Sequence, residues 1–168
     1  MRVQKKIILS FVLVLAITSA ASAQRRAVPA RPDETGVAIA LQAGAQSYHF
    51  GGTCVCQHAP KASIYNVIAE MWSVQQADAQ RSMVLALWRP RSGSGEMFSL
   101  NLVIGGRSYV VNTIKAGGAG AVYGSGMVTI TSSGAGGTFT VNATAANGAA
   151  ITGTIKCSAF TEPMVEGG

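Results

Sequence analysis

From Thr138 to Lys156 the chain alternates strictly between apolar and polar positions. Phe139, Val141 and Ala143 interleave with Thr138, Thr140 and Asn142; beyond Asn147-Gly148, Ile151, Gly153, Ile155 and Cys157 interleave with Thr152, Thr154 and Lys156. Period-two alternation on both sides of an Asn-Gly pair predicts a β-hairpin. It also places Cys157 on the apolar face of its strand, pointing into a core. A second hairpin follows from Phe98, Leu100, Leu102 and Ile104, which alternate with Ser99, Asn101 and Val103 before Gly105-Gly106 turns the chain into residues 107–114. Residues 82–88 carry Met83, Leu85 and Leu87 on one face and stop at Pro90, and 91–95 read as a flexible turn. Residues 126–131 form a further strand that leads into the closing hairpin.

The first half is less regular. Residues 36–42 and 46–50 read as short strands, with Gly51-Gly52 breaking them from 53–57. Residues 63–74 fit two periods. Ile64, Val67, Ile68, Met71 and Trp72 match a helical stripe, whereas Tyr65, Val67, Ala69 and Met71 match a strand face. The strand reading is taken, because the neighbours are strands and β-branched and aromatic residues are frequent; residues 75–80 are then a polar loop. The sum is seven to nine short strands without βαβ spacing. This predicts an all-β antiparallel sandwich over residues 36–160, with a C-terminal tail at 161–168.

The N-terminus changes what the bulk composition means. Arg2, Lys5 and Lys6 precede an apolar run over residues 7–17, and Ala21-Ser22-Ala23 fits a cleavage site before Gln24. Residues 1–23 therefore read as a signal peptide and 24–35, with Pro29, Pro32 and three arginines, as a flexible linker. Export to the periplasm or the exterior is expected, in a compartment that oxidises thiols. The apolar run is too short for a transmembrane helix. Cleavage takes the formal charge from +6 to +3, and the remaining basic residues are scattered singly, which argues against a nucleic-acid partner.

Three cysteines then imply one disulfide and one remaining thiol. Cys54 and Cys56 face the same way on an extended strand, so only one of them bonds Cys157. Cys56–Cys157 is the pairing expected, with Cys54 as the alternative partner. A competing reading assembles His49, Cys54, Cys56 and His58 into a Cu or Zn site, because thiolate and imidazole suit those metals. Otherwise no cofactor is expected. The seven carboxylates after the signal form no acid/base pair at an informative spacing, and Gly93-Ser94-Gly95 is a turn, not a nucleophile elbow. No catalytic residue is nominated. Tyr48, Phe50, Tyr65, Trp72, Trp88 and Tyr123 either fill the core or line a ligand surface. Trp88, Arg89 and Arg91 at a strand end form a candidate surface patch.

An early strand ending in Cys56, a Gly-rich alternating middle and the closing Gly153-Thr154-Ile155-Lys156-Cys157 resemble small exported bacterial β-sandwich proteins of the mycobacterial small-lipoprotein antigen type, over roughly residues 46–160. Lipid anchoring is not implied, since Gln24 stands where a lipoprotein has cysteine. The resulting expectation is a non-enzymatic exported module that binds an envelope component, a partner protein or itself through a sheet face.

Overall fold

The computed structural model describes residues 33–92, 95–115 and 122–163. Nine strands follow one another along the chain: β1 (Glu34–Ala43), β2 (Gln46–Ile64), β3 (Val67–Ala77), β4 (Arg81–Pro90), β5 (Met97–Ile104), β6 (Arg107–Asn112), β7 (Ser125–Ser133), β8 (Gly136–Thr144) and β9 (Ala150–Cys157). All neighbours pair antiparallel, in the order β6-β5-β4-β3-β2-β1-β9-β8-β7. The all-β antiparallel fold expected from the alternation is the one observed. The strands form a continuous sheet that curls until its ends nearly meet, so that β5 approaches both β2 and β7 from across the interior.

Backbone hydrogen bonds among the described residues tie β6 to segments on the far side of the gap. Asn112 and Tyr123 exchange two backbone hydrogen bonds, at 2.7 and 3.0 Å, and the Ala146 N–H donates to Val110 O at 2.9 Å. Near closure buries one face of every strand. Val37, Ile39 and Leu41 of β1, Met83, Leu85 and Leu87 of β4, Phe98, Leu100 and Leu102 of β5, and Phe139, Val141, Ile151 and Ile155 of the last hairpin make one core. Their period-two spacing is the physical reason these segments are strands: no other backbone puts alternate residues on one side.

Three expectations need correction. Residues 63–74 are not one strand. Tyr65 and Asn66, at φ of 51° and 65°, form a tight turn that ends β2 and starts β3. Gly51-Gly52 does not break a strand; β2 runs through it for 19 residues. A Cβ at Gly52 would lie 3.1 Å from the Phe50 ring, a tight contact that the ring would have to ease. Finally, 75–80 is not all loop, because β3 continues to Ala77 and buries Gln76.

Two boundaries also move. Glu34 and Thr35, placed in the linker by sequence, pair with Val55 and Cys54 in the sheet. Thr161, placed in the tail, is tied to β2: its N–H donates to Cys56 O and its carbonyl accepts from the His58 N–H, both at 2.9 Å. The signal-peptide segment and Gly93-Ser94 lie outside the described residues.

Candidate functional site

Cys56 and Cys157 are bonded, joining β2 to β9 with Cα atoms 6.3 Å apart. β1 lies between these strands in the sheet, so the bridge crosses its inner side rather than linking neighbours. Cys54 keeps its thiol and is buried, its sulfur 3.8 Å from that of Cys56. Burial pushes the Cys54 thiol up to about 11, with the carboxylate of Glu34 a lesser cause. It is a poor nucleophile and a poor metal ligand in that state.

The four residues of the metal reading do not converge. Cys56 is spent in the disulfide. His49 is exposed, on the face of β2 opposite the buried Cys54, because an odd and an even position alternate across a strand. Among the described residues no three His, Cys, Asp or Glu side chains come together in a way that holds an ion.

His58 belongs to a different cluster. Its ring stacks on Trp72 with centroids 4.7 Å apart and planes 5° from parallel. Arg89 covers the Trp72 ring at 4.8 Å. Glu70 lies 3.7 Å from His58 Nε2 and 3.6 Å from Arg89 Nη1, and Arg89 Nε donates to Glu96 at 2.6 Å. Phe160 adds an edge contact to both His58 and Phe139. With the disulfide, this cluster closes one end of the core. Beside it is a cleft of about 360 Å³ that also involves Gly134, Ala135 and Glu162. The indole of Trp72 is 4% exposed and lies between a His and an Arg, so it offers no ring face to a ligand. The proposed patch of Trp88, Arg89 and Arg91 is divided accordingly. Arg89 turns to Trp72, Trp88 is half-buried on the other face, and Arg91 donates to Pro60 O at 3.1 Å.

The aromatic residues divide as well. Tyr48 is fully buried and Phe50 packs on the core, whereas Tyr65, in the β2–β3 turn, and Tyr123, in the bridge to Asn112, are exposed. Arg81 covers Tyr48 and Phe50 at 5.3 and 5.8 Å from their centroids. It is held there by Asp78, which accepts its Nε at 2.7 Å and whose other oxygen accepts the backbone N–H groups of Gln80 and Arg81. This end of the core is closed by an arginine, as the other is.

What remains is the outer face of β7, β8, β9 and β1, and here the register brings like residues together. Thr129 pairs with Thr140, Thr140 with Thr154, and Thr154 with Ala40. One step along, Thr131 pairs with Thr138 and Thr138 with Lys156. One step the other way, Met127 pairs with Asn142 and Asn142 with Thr152. These side chains all point away from the core, and Met127 is 59% exposed. Strands spaced about 4.8 Å apart and a two-residue repeat of about 6.7 Å turn them into a grid of hydroxyl and methyl groups. No Asp, Glu, Lys, Arg or His occurs from Ala116 to Ile155. The sheet stays close-packed there because Gly153, at φ of 138°, has no Cβ to strike Ala40 O. Sequence reading treated these threonines only as the polar half of a hairpin. The uncharged run was the signal that marked them out.

Comparison with protein-family models, with curated proteins and with solved structures finds no match to this chain.

Proposed function

We propose that the protein is an exported, non-catalytic binding module whose threonine-bearing outer face of β1, β9, β8 and β7 rests on a neutral, hydroxyl-rich component of the cell envelope. The observation that carries this reading is the charge-free stretch from Ser125 to Ile155, whose threonines stand in register in rows on the outer face of the sheet. Exposed sheet surfaces ordinarily carry charged side chains that keep them solvated and apart. A face whose charge on β7, β8 and β9 is confined to Lys156, at the end of β9, gives up most of that protection across these three strands. Threonine hydroxyls donate and accept hydrogen bonds, and their methyls cover CH groups. A regular grid of both suits a polymer with repeating neutral polar groups. The N-terminal leader and the disulfide support export.

The test is co-sedimentation of the purified exported protein with isolated envelope. The wild type is expected to stay bound as ionic strength rises, because contacts between uncharged groups are not screened. Thr140→Glu with Thr154→Glu is expected to release it. Release of the wild type by salt, or full binding by the double variant, overturns the reading.

A further inference from the structure

The two ends of the sheet are treated differently. The outer edge of β6 is covered: Asn112 is bonded to Tyr123 in both directions, Val110 O accepts from Ala146, and Ser108 O accepts from the Asn147 side chain. Among the described residues, the outer edge of β7 has no such cover. Among the described residues, the backbone of Ser125–Ser133 hydrogen-bonds to β8 and to nothing on its other side. Alternate N–H and C=O groups along these nine residues therefore have no partner among the described residues. An open edge of this length is usually guarded by a lysine, a proline or an inward charge. The sequence Ser-Gly-Met-Val-Thr-Ile-Thr-Ser-Ser holds none of them.

We propose that β7 pairs antiparallel with β7 of a second copy of this chain, forming a closed two-fold dimer. The occupant follows from charge. In an isologous contact the residue on the axis meets its own copy and those beside it meet near neighbours, so a charge at or next to the axis would repel its copy. β7 is uncharged throughout and meets this condition. The register with full overlap is centred on Thr129, the middle residue, and sets Met127 against Thr131 of the other copy. Outward residues then face outward residues, because all are odd-numbered. The row Thr154–Thr140–Thr129 continues into Thr129–Thr140–Thr154 of the second chain. The dimer thus deepens the reading given above, by making one face of two. Growth ends at two chains, since the β6 edge is already covered.

The experiment uses the exported protein, with sedimentation equilibrium over a wide concentration range. The wild type is expected to reach twice the chain mass. Thr129→Lys, which sets two lysines against each other, is expected to weaken the association by about tenfold or more. Thr129→Cys is expected to crosslink to itself under mild oxidation, whereas Thr140→Cys, one strand in from the axis, is not; unchanged melting of these variants shows that they fold. A wild type that stays monomeric at every concentration overturns the proposal, as does a dimer that survives Thr129→Lys. The two readings separate cleanly. A monomer that still binds envelope removes only the dimer, and a dimer that does not bind envelope removes only the proposed function.

Discussion

The sulfur of Cys54 lies 3.8 Å from that of Cys56, on the same buried face of β2, yet Cys56 alone is bonded to Cys157. The choice between two near-equivalent thiols is made by position along the strand. Cys56 is the residue whose carbonyl receives Thr161, where the segment after Cys157 returns to β2. The bond is therefore made where the chain already doubles back.

Cys54 is expected to be silent in the folded protein. Buried, with its thiol pushed up to about 11, it holds almost no thiolate at neutral pH. Intact mass after alkylation at pH 7 should show no label on the native protein and one label in denaturant without reductant. A labelled native protein would contradict the buried geometry.

Removing the bridge should cost more than removing the spare thiol. The disulfide spans 101 residues. The chain-entropy model gives about 4–5 kcal/mol for a loop of that size. Cys157→Ser, compared with Cys54→Ala by urea unfolding, should show the larger loss. Equal losses would mean that the bridge contributes little beyond packing.

Trp72 is expected to be a structural residue. It is 4% exposed and covered by His58 and Arg89. Truncation to Ala should cost about 3–5 kcal/mol, the range for a buried aromatic. Chemical unfolding followed by circular dichroism measures it. A small loss together with lost binding would instead make the indole a contact residue.

Tyr48 and Asp78 bound the pH range of the fold on opposite sides. Arg81 donates to Asp78, and this, followed by the N–H of Gln80, lowers the carboxyl below its ordinary value. A lowered folded pKa favours the ionised form. The contribution is complete above the ordinary carboxylate range and is lost as pH falls through the folded value. Burial raises Tyr48 to about 12 and Cys54 to about 11. Raised values favour the neutral forms, so that contribution is present below about 9 and is lost as pH climbs toward 12. Melting temperature against pH should fall on both sides, with Asp78→Asn flattening the acid limb. Among the described residues the buried Tyr48 hydroxyl has no hydrogen-bond partner. Tyr48→Phe should therefore flatten the alkaline limb and raise stability at neutral pH by about 1 kcal/mol. A loss of stability on that change would show that the hydroxyl has a partner.

The two hairpins with unbroken alternation were legible from the residues. Gly105, Gly106 and Gly148 supply the positive φ their turns require, so pattern and turn chemistry agree. The β2–β3 turn was hidden because Tyr65 carries φ of 51°, a conformation no tyrosine advertises, and because its flanks also fit a helical stripe. That Cys157 bonds a cysteine of this strand was legible from its inward face, with Cys54 open beside the expected Cys56; the choice of Cys56, and the position of β1 between the bonded strands, needed the structure. The His49–His58 cluster looked plausible by spacing and failed by parity, with His49 and Cys54 on opposite faces. The threonine grid depends on three strands being in step, and a single strand cannot show that.

The most direct test of the threonine face is a hydroxyl-radical footprint of the protein with and without isolated envelope. Protection is predicted at Met127, Thr129, Thr140 and Thr154, with Asn101 and Val84 on the far side unchanged. Protection centred on Val84 and Asn101, or none anywhere, would contradict the assignment of that face.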